Sequence, residues 1–536
     1  MIWKRGMDMT GSRIKYTVIF LLLLAPAVIL WSAEAGKTNN AAISPSSYPE
    51  IGAAELGQLR WSLQVADQPL SDFTNMEAID QFGMTAYRYY LAFTAYFLAA
   101  EQYHKLPACP EIIAPRMDRL IRKMREKPVW EVWAETSRGV IFLEPRMNRP
   151  YPSERDPVKY RNIMYSGHVG HMIGLYETLY RDMKYDQPGS IVFAWSDDER
   201  YEYDYGKLNR VMYDQMMNLP SHCIECEPNA CFPECNQHPI LSFMLYDFLH
   251  HTDQMEASKP FLDFFLKKRM IDPATHATAS LYLIKQDLTV SMQNPRYKNA
   301  ADLVTVPVFK LGLANLDSAS ADGWTGAFMH AWQPEYIERH YPYQKANNLK
   351  GVKDGAAEVA DTIWEPQLRY GFFAMLAAEI GDTETRDQLL KYADDNYGPV
   401  WADGAMHYPY DKPKCNNLTG VLLALARALP ANGLKAMHNR PFDGAHFTGP
   451  VVSGVDFPKA VLRRAVYDPE KKALIVTTEP GAATAGSTTF QVKRLDPGKS
   501  YALTMDGKQV KIIQGQDSAK IEAPLDGRHD IVIAEQ

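Results

Sequence analysis

The 536-residue chain has no surplus of either charge: 57 basic and 64 acidic side chains leave a formal net charge of −7. Nucleic-acid surfaces need clustered Lys and Arg, so nothing electrostatic argues for a nucleic-acid partner. No internal repeat of fixed period is visible, which weighs against a solenoid. Cysteine is scarce, at six residues, and unevenly spread. Cys109 and Cys415 stand alone, while Cys223, Cys226, Cys231 and Cys235 fall within thirteen residues. A disulfide-stapled scaffold would distribute its cysteines more evenly.

The N-terminus reads as a targeting segment. Lys4, Arg5, Arg13 and Lys15 precede an uncharged run from Tyr16 to Ala33, and Ala33-Glu34-Ala35 supplies a small-x-small cleavage site. A cleaved signal peptide over residues 1–35 is expected, with an inner-membrane anchor as the alternative. The destination is then the periplasm or the exterior. Residues 36–56 are polar, contain two prolines and read as a linker.

Over residues 57–446 the pattern is helical. Ile112 to Lys127 is amphipathic, whereas Asn162 to Lys184 and Pro239 to Thr252 are apolar almost all round. Further helices are expected over Pro260–Met270, Gly323–Trp332, Glu365–Ile380, Thr383–Ala393 and Leu418–Leu429. Alternating amphipathic and apolar helices suit hairpins arranged in a ring, so a mainly α toroid is expected. Ser280-Leu-Tyr-Leu-Ile and Leu288-Thr-Val-Ser read as an inserted hairpin. Residues 447–536 change to short β-rich runs separated by Asp-Gly and Asp-Pro turns, predicting a small C-terminal β-sandwich.

The cysteine cluster reads Cys223-Ile-Glu-Cys226-Glu-Pro-Asn-Ala-Cys231-Phe-Pro-Glu-Cys235-Asn-Gln-His238. Its spacing permits structural zinc, local disulfides or a pair of functional thiols. A second constellation is Asn162-Ile-Met-Tyr-Ser-Gly-His168-Val-Gly-His171. There, small residues beside His168 would let a ligand approach, and His171, on the same face, makes a metal pair conceivable. No acidic third ligand lies nearby in sequence, so no metal is assigned.

These two motifs together resemble the linalool dehydratase-isomerase family. Arg88-Tyr89-x-x-Ala92-Phe93, Tyr246-Asp247-x-Leu-His250, Ile271-Asp-Pro273 and Ala377-x-Glu-Ile-Gly-Asp382 add support in the same order, over about residues 57–430. The resemblance implies an (α/α)6 barrel and a cofactor-independent hydro-lyase or isomerase acting on an apolar alkenol, as the family does on geraniol and linalool. It implies Cys226, Cys235 and His168 as catalytic, with Asp67 or Asp72 as the carboxylate. Tyr89 matches a pocket tyrosine, and Phe73, Glu227 and Trp324 are the other substrate-binding candidates. Cys235 with His168, and Cys226 with an aspartate, are the expected acid–base couples. The partner is a small apolar alcohol or alkene, and a homo-oligomer is possible. Cys223 and Cys231 depart from the family pattern.

A carbohydrate-active toroid is the alternative, with carboxylates such as Glu225, Glu227, Glu234, Asp322 and Glu365 to draw on. A zinc-stabilised envelope binding protein is the third class.

Overall fold

The computed structural model describes residues 43–77, 86–139, 144, 149–291, 318–359, 369–409, 417–481 and 486–536. The N-terminal uncharged run, Glu365 and Cys415 lie outside these residues. Among the described residues, no helix is long and apolar enough to cross a membrane.

Twelve described helices have ten residues or more. In chain order they are α1 Ala53–Asp67, α2 Tyr87–His104, α3 Pro110–Met124, α4 Ile163–Tyr180, α5 Tyr205–Asn218 and α6 Gln237–His250. There follow α7 Ser258–Lys267, α8 Ser318–Met329, α9 Pro334–Asn348, α10 Arg369–Ile380, α11 Thr383–Tyr397 and α12 Asn417–Ala428. The even-numbered helices form a closed ring. Each packs on the next even-numbered one, from α2 through α4, α6, α8 and α10 to α12, and α12 packs back on α2.

The odd-numbered helices lie outside, with α3 against α2 and α4, α5 against α4 and α6, and α11 against α10. Amphipathicity sorts the two layers. Every residue of α4 from Ile163 to Leu179 is buried, whereas α3 buries one stripe and turns its arginines outward.

Small residues set how closely α4 and α6 approach. A Cβ on Gly167 would meet Pro239 Cδ at 3.0 Å, and one on Gly170 would meet Ser242 Oγ at 2.7 Å. The small residues beside His168, expected to admit a ligand, are therefore filled by the neighbouring helix. Gly170→Val is expected to destabilise the fold by about 1–3 kcal/mol through overpacking. A urea unfolding midpoint unchanged from wild type would contradict this.

The helix α6 starts at Gln237, two residues before the expected Pro239. Proline is tolerated in a first helical turn because its missing N–H has no intrahelical partner there. That earlier start carries His238 into the helix, where it is fully buried.

The expected hairpin forms from Leu281–Leu283 and Leu288–Val290, and Ala230–Cys231 joins it as a third strand. The C-terminal region is β-rich, with eight strands in a three-stranded and a five-stranded sheet. Strand Ser487–Lys493 alternates buried and exposed residues, so its sheet buries one face. This region is tied to the helices by backbone bonds, Ala108 N–H to Ala465 O and Ala465 N–H to Lys105 O, both at 2.9 Å. The end of the expected linker is also ordered on it. Ile51 N–H donates to Arg463 O at 2.8 Å, and Glu50 pairs with Arg464 at 2.6 Å.

Candidate active site at the cysteine loop

The loop from α5 to α6 carries all four clustered cysteines and is held by side-chain clamps. Cys226 N–H donates to Ala230 O at 3.0 Å and Ala230 N–H to Glu227 O at 2.9 Å. Asn229 takes the left-handed φ of 76° that this tight turn needs, a conformation asparagine tolerates well. Asn236 grips Ile224 from both sides, accepting its N–H at 2.8 Å and donating to its carbonyl at 2.9 Å. Asn229 Oδ1 accepts the Lys285 N–H at 2.7 Å, so the inserted hairpin braces the loop.

All five described cysteines are free thiols. The four in the loop separate into two couples. Cys231 Sγ donates to Cys223 O at 3.1 Å. Cys226 and Cys235 hydrogen-bond to each other. The described group whose donor atoms converge as metal ligands would, all within 4.8 Å, is Glu177, Asp186 and His250, with no cysteine in it. The loop therefore builds neither of the alternatives its spacing left open, a zinc knuckle or a disulfide.

Burial pushes the Cys226 thiol well up, and its hydrogen bond to Cys235 pushes it further. Burial also raises Cys235, with the charges of Glu234 and Glu227 adding to it, while the Cys226 bond and the charge of Arg88 offset part of the rise. Cys235 is thus the more easily ionised of the two, and Cys226 is its donor.

Two carboxyls share this interior. Glu227 is fully buried, and Glu234 is 1% exposed. Burial raises the Glu234 carboxyl to about 8, with the nearby charge of Glu227 adding to the effect. Among the described residues, the Glu234 Oε2 has no hydrogen-bond partner. A carboxyl still protonated near neutrality, beside two thiols, is equipped for proton transfer.

Aromatic rings wall the site. The Tyr89 ring stands edge-on to His168 and Trp324, with centroids 5.5 and 5.4 Å apart. Trp324 stacks on Phe372 at 4.8 Å, and the Arg88 guanidinium lies 4.5 Å over the Tyr89 ring. The charges of Cys235, Cys226 and Glu227 all act on the Tyr89 hydroxyl, which places these groups together.

Behind them lies a buried histidine cluster. Tyr96 Oη is 2.8 Å from His168 Nδ1 and 3.4 Å from His238 Nδ1. His238 Nδ1 lies 3.1 Å from His171 Nδ1, and His171 Nε2 lies 2.7 Å from His438 Nε2. Trp324 Nε1 donates to His238 Nε2 at 2.9 Å.

The structure thus brings Cys226, Cys235, His168, Tyr89, Glu227 and Trp324 into one region. It does not bring the aspartates there. Asp67 is half exposed and pairs with Arg116 at 2.8 Å. Asp72 accepts the Thr74 N–H at 3.0 Å in an exposed turn, and this bond lowers its carboxyl. Phe73 stacks on Tyr87 at 4.7 Å beneath the Lys123 ammonium, and its described ring contacts do not include the thiols. These three expectations are corrected.

Of the expected couples, the described contacts show Cys235 bonded to Cys226 and His168 Nδ1 2.8 Å from Tyr96 Oη. His168 and His171 do not converge on one point as a metal pair would; His171 bonds His238 and His438 instead. Of the carboxylates the carbohydrate alternative drew on, Glu225 is held by Arg161 at 2.8 Å. Asp322 accepts from Thr278 N, Gln344 and Asn348.

Sequence reasoning offered Glu234 only for the carbohydrate alternative and missed His238, Tyr96 and His438 as site residues. Glu234 and His238 sit inside the cysteine motif itself, which was the available signal. Nothing local marks His438.

A family model described as linalool dehydratase/isomerase matches residues 88–310 and 303–413, more than half of the chain. Among solved structures, the chain is similar to an inactive variant of the α-1,6-mannanase GH76A of Salegentibacter sp. HEL1_6 in complex with α-1,6-mannotriose. That likeness has 11% identity and a TM-score of 0.39, covering 70% of this chain and 99% of that one. It is also similar to an unsaturated glucuronyl hydrolase specific for heparin, with 8% identity and a TM-score of 0.41, covering 72% of this chain and 96% of that one.

Proposed function

The chain belongs to the linalool dehydratase/isomerase family, and from that premise we propose that it dehydrates or isomerises an apolar alkenol without a cofactor. The observation that carries the reading is the buried grouping of two hydrogen-bonded thiols with a protonated carboxyl behind an aromatic wall. We read the two helix layers as an (α/α)6 barrel and the two C-terminal sheets as an appended β-sandwich.

Loss of a hydroxyl from a tertiary allylic alcohol needs an acid for the departing oxygen and a base for a neighbouring C–H proton. It also needs a dry setting, so that water does not capture the cationic carbon. Glu234 serves as the acid, since burial keeps it protonated to about pH 8. Cys235 serves as the base, its ionised form opposed by burial, Glu234 and Glu227 and favoured by Cys226 and Arg88. The faces of Tyr89 and Trp324 bound the apolar part of the substrate. The C–H proton is taken by the thiolate form of Cys235, which is the minor form at neutral pH because burial raises the thiol.

The test is incubation of the purified protein with linalool and related tertiary alkenols, followed by gas chromatography of the headspace. A diene or an isomerised primary alcohol is the expected product. Absence of turnover for every alkenol, with the protein folded, would overturn the proposal.

A further inference from the structure

The buried histidines are linked by bonds whose directions can be worked out, because both ends of the chain are fixed. His438 Nδ1 lies 2.7 Å from the Leu434 carbonyl, which can only accept. In a neutral imidazole, a proton on Nδ1 leaves Nε2 as an acceptor. His171 must therefore donate from Nε2 to His438 Nε2, and its own Nδ1 is an acceptor. His238 must then donate from Nδ1 to His171, leaving His238 Nε2 as an acceptor.

The other end independently requires the same arrangement. Trp324 Nε1–H can only donate, and it points at His238 Nε2. Two unrelated groups, a backbone carbonyl and an indole, agree on one set of tautomers. Burial pushes His438 down to about 4 and His171 and His238 well below the usual range, so all three are neutral at physiological pH.

Tyr96 passes this polarity on. Its hydroxyl faces His168 Nδ1 and, more distantly, His238 Nδ1. The second of these carries a proton, so the Tyr96 O–H cannot donate there and donates to His168 Nδ1. His168 is itself neutral, since burial lowers it to about 3. Its proton is then on Nε2, and His168 Nε2 is buried with no hydrogen-bond partner among the described residues. An orphaned buried N–H is costly, because it has given up its hydrogen bond to water, and calls for an explanation.

We infer that the resting site presents His168 as a fixed Nε2–H donor, its tautomer dictated through Tyr96 by a hydrogen-bond chain anchored at Leu434 and Trp324, and that the ligand atom it meets is an oxygen acceptor. The tautomer stands on the hydrogen-bond geometry and on the burial that keeps the imidazoles neutral, while the identity of that oxygen as an alkenol hydroxyl rests on the functional reading above. Tyr96, His238, His171 and His438 are positioning residues. They hold His168 ready to grip a hydroxyl oxygen as it leaves, and they keep it from acting first as a base.

The test is nitrogen NMR of full-length protein labelled at histidine, with the His168 signals identified by their loss in His168→Gln. Neutral imidazole nitrogens with and without a proton resonate far apart, so the tautomer is read directly. His168 protonated on Nε2 only is the expected result, with His438 and His238 protonated on Nδ1. Tyr96→Phe removes the donor to His168 Nδ1, and the His168 pair of signals is expected to move toward a tautomer average while His171 and His438 stay in place. A His168 protonated on Nδ1, or doubly protonated at pH 7, overturns the inference, as does an unchanged His168 in Tyr96→Phe. These outcomes need no substrate, so they are separable from failure of the alkenol reading, which shows as no turnover with the tautomer intact.

Discussion

Replacing Cys235 by serine is expected to slow turnover of a tertiary alkenol by about 10²–10⁴-fold, the usual contribution of one positioned acid or base. Serine keeps the size and the hydrogen-bonding sites of the side chain, but its hydroxyl does not ionise in the accessible range. Cys226→Ser is expected to cost less, because Cys226 only donates to its partner. Neither change removes a charge or opens a cavity, so circular dichroism and the melting temperature should be nearly unmoved. Steady-state rates of the two variants, measured beside wild type, decide the matter. Wild-type rates in Cys235→Ser would remove Cys235 from the chemistry. Equal losses in both variants would mean that the thiols act as a unit.

Glu234→Gln should be the second severe loss, again about 10²–10⁴-fold, since an amide cannot give up a proton to the departing hydroxyl. This variant carries a signature in stability that a merely inactive protein would not show. Burial raises the Glu234 carboxyl from an ordinary 4.5 to about 8. Between those values the folded chain holds a proton that the unfolded chain has released. The stability this proton contributes is therefore complete below about pH 4.5 and is lost as the pH rises through about 8. Melting temperatures of wild type should fall over that window, and the fall should be shallower in Glu234→Gln. The wild-type rate should also decline above about pH 8 as the acid is lost. Parallel melting curves across the pH range would show that Glu234 is not the raised carboxyl.

Much of the fold was legible because it is encoded locally. The absence of a polar face along Ile163–Leu179 and Pro239–His250 marked inner helices, and charged stripes marked outer ones. Asp-Gly and Asp-Pro turns between β-rich runs marked the C-terminal region. The four cysteines announced themselves by spacing, but spacing could not say which pair is which. That depended on Asn236 and the Asn229 turn folding the loop so that Cys226 meets Cys235 while Cys231 turns to Cys223 O.

The carboxylate was misplaced for a related reason. Asp67 and Asp72 were chosen by their position along the chain, and ion pairing and turn capping hold them at the surface. The buried carboxyls lie next to the thiols in sequence, at Glu227 and Glu234, which the sequence offered for substrate binding and for the carbohydrate alternative but not as the acid. Only enclosure by the ring made them chemically unusual.

By itself, then, the sequence determined the alternation of helices, the β-rich end and the family to which the cysteine and histidine motifs point, because periodicity, turn chemistry and short motifs act over a few residues. Only the tertiary structure decided which helix fills the space beside His168, which carboxyls are buried beside the thiols and which groups the buried histidines meet. Those depend on groups far apart along the chain, as with His171 and His438, 267 residues apart, brought within 2.7 Å by closure of the ring.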